Sequence, residues 1–122
     1  MPLQNLQIVS AQGAREGQIV VSLKGPLSIH TIFSFQNAMR EESAPTVIVD
    51  FGGVPFIDSA GLGALVAANI TAGKTNRKIG FAAMNTQVIA LVEMTHLKKF
   101  FRIYPTVQDA EAALDSGVSK LI

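Results

Sequence analysis

TVIVDFGGVPFIDSAGLGAL, residues 46–65, decides the fold. Its first six residues, Thr46–Phe51, form a short, nearly continuous apolar run, the pattern of a strand buried on both faces. Gly52-Gly53 reads as a turn. From Leu62 the apolar residues recur at 62, 65, 66 and 70, the spacing of a helix with one face on a core. That helix is expected from about Ala60 to about Thr71, with Gly73 as its C-cap. Between strand and helix, Asp58 and Ser59 interrupt the apolar pattern. Either is a preferred N-cap for the helix. Capping accounts for one polar residue better than for two. It also does not call for Ala60, Gly61 and Gly63. A glycine weakens a helix by about 1 kcal/mol relative to alanine. Two of them at the helix start suggest that something approaches the backbone closely there.

Towards the N-terminus, Gln18–Leu23 is β-branched and bounded by Gly17 and Gly25-Pro26, so it reads as a strand. A weaker strand near Leu6–Ala11 can pair with it as a hairpin across the Gly13–Gly17 turn. Ile32, Phe35 and Met39 fall at helical spacing, giving an amphipathic helix from Thr31 to about Glu42, stopped by Pro45. Towards the C-terminus, Ile79–Ala83 is a strand. Gln87–Thr95 is a helix capped by Asn85 or Thr86, and Phe100–Tyr104 is expected as a last short strand. Thr106 and Asp109 have capping-box spacing before a final helix. The order is β β α β α β α β α. Strand–helix–strand units imply parallel pairing with right-handed crossovers. The fold class is therefore α/β: a mixed sheet of about five strands with about four helices mostly on one face, one domain over residues 1–122, frayed after Asp115.

The chain has 122 residues, 48 % of them apolar and 16 % charged, so it can bury a core. Ten basic and nine acidic residues leave a formal charge of +1, which argues against a nucleic-acid partner. The nearest approach to a basic cluster is Lys74, Arg77, Lys78. With no cysteine, disulfides, thiolate zinc sites and a cysteine nucleophile are excluded. No ligand cluster points to a metal. No signal-like leader and no apolar run of membrane-spanning length is present, so a soluble cytoplasmic protein without membrane insertion is the expectation.

Two motifs suggest catalysis and fail. Gly73-Lys74-Thr75 looks like the end of a phosphate-binding loop, but Ala68 stands where that motif needs its first glycine. It also falls at the end of a helix, where the dipole repels anions. Ile57-Asp58-Ser59-Ala60-Gly61 lacks the first glycine of a nucleophile elbow. Of the two histidines, His30 precedes a helix and His96 falls where one ends, a place for a cap. A serine at a helix N-terminus is, however, a physically sensible phosphorylation site. Unpaired N–H groups and the positive dipole end favour a phosphate. The modification adds about −1.5 to −2 charges.

Val47–Phe51, Gly53-Val54 and Phe56–Gly63 together resemble the core of a STAS domain, the family of anti-sigma factor antagonists and of related domains in sulfate transporters. The resemblance covers nearly the whole chain. Gly25-x-Leu27 is similar to the end of the family's second strand, and Leu91–Leu97 to its E-L-T-G-L segment. Phe101–Tyr104 with Val107–Ala110 resembles its closing strand and last helix. The resemblance implies a regulatory binding protein with no catalytic residue, cofactor or metal. The partner implied is an anti-sigma factor that is also a serine kinase. The unphosphorylated antagonist binds it and so frees the sigma factor. Phosphorylation releases the antagonist, and a serine phosphatase resets it. By position the phosphoacceptor is Ser59. Asp58, Ala60 and Gly61 accompany it on the docking surface, with Ser28, His30 and Thr31, and with Met94 and Thr95. A monomer or weak dimer is expected. Two positions depart from the family. Ser28 stands where an acidic residue is frequent, and Ala60 where a second serine is frequent, which leaves Ser59 without an adjacent rival. The alternative is a STAS scaffold in a stress-sensing assembly or beside a membrane transport system.

Overall fold

The computed structural model describes residues 5–115. Five strands form one sheet in the order β1-β2-β3-β4-β5: β1 Gln7–Gln12, β2 Gln18–Lys24, β3 Thr46–Gly53, β4 Lys78–Ala82 and β5 Ile103–Tyr104. The first pair is an antiparallel hairpin with Gln12 opposite Ile19, and all later pairs are parallel. Helices α1 (Ile32–Glu41), α2 (Ser59–Lys74) and α3 (Thr86–Met94) connect the parallel strands, and α4 (Val107–Ala113) closes the chain. A parallel sheet whose strands follow chain order keeps crossovers of one hand on one face. Accordingly Phe35 of α1, Leu62 and Leu65 of α2, and Val88 and Val92 of α3 share one core with Val47, Val49 and Phe51. The alternating residue Ile48 points the other way, into a smaller core with Ala110 and Leu114. Among the described residues no strand follows α4, which covers that second face.

The structure revises three local expectations and decides a fourth, the cap of α3. Gly52-Gly53 is not a turn. β3 continues through both, and a register shift lets Gly53 pair with Lys24. α2 does not stop at Gly73 but runs on to Lys74, capped by Thr75, with Asn76 in the left-handed region at φ 58°. Asparagine tolerates that conformation, so it terminates the helix where glycine was expected. Asn85, not Thr86, caps α3. The expected strand Phe100–Tyr104 is a 3-10 turn at Lys98–Phe100 followed by two strand residues. Its apolar character comes from Phe101, which leaves the strand pattern to plug the core edge-on to Phe81, with ring centroids 5.4 Å apart. The fraying expected beyond Asp115 lies outside the described residues. No helix among the described residues is long and apolar enough to cross a membrane.

Candidate functional site

The site lies just beyond the C-terminal ends of β2 and β3. There Leu27 and Ile57 form one more parallel bridge. Leu27 N–H donates to the Phe56 carbonyl (3.2 Å), and Asp58 N–H donates to the Leu27 carbonyl (3.3 Å). This crossing fixes the entry to α2. Asp58 has extended backbone angles and is its N-cap. Gly61 N–H donates to Asp58 Oδ1 at 2.8 Å. Ile29 N–H donates to Asp58 Oδ2 at 3.0 Å. One carboxylate therefore caps α2 and also ties down the loop before α1. Desolvation pushes the carboxyl pKa up, but the N–H groups of Gly61 and Ile29, with those of the helix start, outweigh it. The net effect holds Asp58 below the ordinary carboxylate value.

Ser59 is the first residue of α2 and is exposed. Its hydroxyl has no hydrogen-bond partner among the described residues, and neither histidine nor any other base contacts it. A group added to this oxygen stands on an exposed residue in the first turn of α2, at the positive end of the helix dipole.

Ser28 and Thr31, expected on a docking surface, are instead buried, at 7 % and 6 % exposure. Ser28 N–H donates to Thr31 Oγ1, whose own hydroxyl donates to the Pro26 carbonyl, each at 2.9 Å. Ser28 Oγ accepts from His30 N–H at 3.2 Å. Both side chains shape the loop from within. His30 is exposed, and Ala60 is half-buried. Gly61 is buried, and the close approach its type suggested comes from this chain. A Cβ on Gly61 would overlap the Leu27 carbonyl oxygen. A Cβ on Gly63 would point into open space. Met94 and Thr95 are exposed at the end of α3. Asn85 at the start of that helix donates to the carbonyls of Pro55 and Val54 (3.0 and 3.3 Å), so the far end of α3 points away from Ser59.

Sequence reasoning missed the apolar residues around the serine. Ile29, Phe33 and Phe56 are exposed by 56 %, 72 % and 43 %, a group of large side chains with no internal role. The one available signal was that Phe33 falls off the Ile32, Phe35, Met39 spacing. Large apolar side chains left in water near one loop make that loop a candidate interaction surface.

Comparison with known proteins agrees with this fold. Residues 7–110 match the STAS domain family. The chain is 29 % identical to the anti-sigma-F factor antagonist RsfB of Mycobacterium tuberculosis over 104 residues, 83 % of this chain and 84 % of that protein. It superposes on the crystal structure of an anti-sigma factor antagonist from Mycobacterium paratuberculosis with a TM-score of 0.79 and 28 % identity, covering 88 % of this chain and 92 % of that one. The phosphorylated form of the Bacillus cell fate determinant SpoIIAA shares the fold, with a TM-score of 0.65 and 17 % identity, covering 88 % of this chain and 99 % of that one.

Proposed function

The chain belongs to the STAS domain family, and from that premise we propose that it is an anti-sigma factor antagonist switched by phosphorylation of Ser59. The unphosphorylated protein binds an anti-sigma factor that is also a serine kinase, and so frees a sigma factor. The kinase phosphorylates Ser59 and releases the antagonist, and a phosphatase restores it. The observation that carries this reading is the exposed, unpartnered Ser59 hydroxyl on a capped helix start, beside Ile29, Phe33 and Phe56. The apolar side chains supply the contact area, and the hydroxyl lies where a partner covering them must pass.

The switch follows from charge. Before modification the site carries one carboxylate, already bonded to two N–H groups. Phosphorylation adds about −1.5 to −2 charges next to it. The cap geometry and helix dipole stabilise the phosphate in the free protein. A partner seated on the patch would have to desolvate that charge, so binding is lost while the fold stays intact. On this reading the protein works in the cytoplasm as a monomer or weak dimer, residues 1–122 forming one domain. Incubation with candidate anti-sigma kinases and ATP, followed by mass spectrometry, tests it. Phosphate on Ser59, with binding kept in Ser59→Ala and lost in Ser59→Asp, supports the switch. Modification elsewhere, or binding equal in all three proteins, sinks it.

A further inference from the structure

At the other end of α2, the helix layer leaves a cleft of about 330 Å³ between α1 and α2. Val47 of β3 and Ile79 of β4, partners in register, lie at its bottom and are almost wholly buried, at 2 % and 5 % exposure. One wall is Phe35 and Met39 of α1. The other is the face of α2 that carries Ala64 and Ala68 at a spacing of four. Ala64 is packed into the core with Phe35, and the space lies outward of it, beside Met39, Ala67 and Ala68. Interiors are normally packed with few voids larger than a water molecule. This one is about ten times a water's ~30 Å³ share of the liquid and within the ~300–1,000 Å³ range of small-molecule sites. It opens at the N-terminal edge of the parallel strands, away from Ser59.

Three cations stand at the cleft: Arg40 in the last turn of α1, and Arg77 and Lys78 at the start of β4. Among the described residues none of them is ion-paired. Arg77 Nε donates to the Ala44 carbonyl at 2.8 Å, and Arg40 Nη1 donates to Asn37 Oδ1 at 2.7 Å. These bonds hold both guanidiniums in place and leave their other N–H groups available. The nearby Glu42 carboxylate is taken up by Ala44 N–H at 3.0 Å. Compensation of the helix dipole explains a cation at the end of α1. It explains neither Arg77 and Lys78 at a strand start nor the empty apolar volume between them and α1.

We propose that this cleft binds a free single-chain carboxylate of the fatty-acid class. The hydrocarbon chain lies on Val47 and Ile79 between the helices, and the carboxylate sits at the mouth among Arg40, Arg77 and Lys78. Planar guanidinium groups suit a carboxylate head. The inference stands apart from the Ser59 switch, since the cleft shares no side chain with that site.

The test is calorimetric titration of the intact protein with decanoate below its micelle-forming concentration, with decanol and decylammonium as controls. Amide NMR shifts locate the site. Saturable one-to-one binding of decanoate is expected, at least tenfold tighter than decylammonium, with shifts concentrated on α1, α2 and the start of β4. Ala68→Leu, which fills the cleft with an apolar group, should weaken binding at least tenfold. The double variant Arg40→Gln with Lys78→Gln should weaken decanoate severalfold and leave decanol unchanged. Equal binding of decanoate and decylammonium overturns the proposal, as does binding unaffected by Ala68→Leu or absence of binding. Sedimentation with phosphatidylglycerol vesicles that Ala68→Leu does not reduce would assign the cations to a membrane surface instead, and also overturns it.

Discussion

Replacing Asp58 by alanine removes two hydrogen bonds that start from one side chain. Oδ1 satisfies Gly61 N–H inside the first turn of α2, and Oδ2 satisfies Ile29 N–H in the loop before α1. Loss of an N-cap acceptor costs about 1 kcal/mol. The second bond, to a charged acceptor at a partly exposed place, contributes about 1 kcal/mol more. Asp58→Ala should therefore lower the unfolding free energy by about 2 kcal/mol, or roughly 8 °C in Tm for a chain of this size. Asp58→Asn keeps one acceptor oxygen for Gly61 but offers Ile29 an amide that cannot accept, so about half the loss is expected. pH separates the two variants further. The folded Asp58 carboxyl lies below its ordinary value, so its stabilisation is complete above the unfolded pKa of about 3.9 and disappears as pH falls through the folded value. The gap between wild type and Asp58→Asn should be constant from about pH 8 to pH 5 and close below about pH 4. Urea unfolding at several pH values measures it. An alanine variant within about 0.3 kcal/mol of wild type at pH 7 would refute the account of a carboxylate holding two elements together.

Four other substitutions probe separate features of the site and of the fold behind it. Gly61→Ala should destabilise by about 1–3 kcal/mol, because its Cβ meets the Leu27 carbonyl and backbone cannot yield cheaply. Gly63→Ala, with open space around it, should stabilise α2 by about 0.5–1 kcal/mol in the same unfolding assay. Ala83 holds the left-handed region at φ 62°, so Ala83→Gly should raise stability by about 1 kcal/mol. Phe33→Ala should leave unfolding within about 0.5 kcal/mol of wild type, yet weaken binding of the anti-sigma partner about tenfold or more by calorimetry.

The parallel sheet and its helices are legible because the decisive residues are local. Thr46–Phe51 is a nearly continuous apolar run with Asp50 its one charged residue, and the apolar spacing after Leu62 is that of a helix. A cap at Asp58 or Ser59 is legible for the same reason, and the bond from Gly61 N–H within one turn decides it for Asp58. What escapes the sequence depends on contacts distant along the chain. Gly61 reads as room for a partner until Leu27 is seen against it. Ser28 and Thr31 read as surface hydroxyls until their internal hydrogen bonds are found. Phe101 extends an apolar run that looks like a strand, yet β4 offers β5 only two pairing positions, Phe81 and Ala82. Ile29 and Phe56 lie in loops and Phe33 in the first turn of α1, so their exposure is set by how those segments fold over the core, and hydropathy alone would have buried all three.

The central claim is that one phosphate on Ser59 abolishes docking without unfolding the protein. The direct measurement is the dissociation constant for the cognate anti-sigma factor, taken on the unmodified protein and on protein phosphorylated stoichiometrically at Ser59, with circular dichroism of both. The account predicts binding weaker by about a hundredfold or more after modification, equivalent to about 2.7 kcal/mol, with unchanged spectra. Equal affinity of the two forms, or a loss of binding accompanied by a loss of structure, would contradict it.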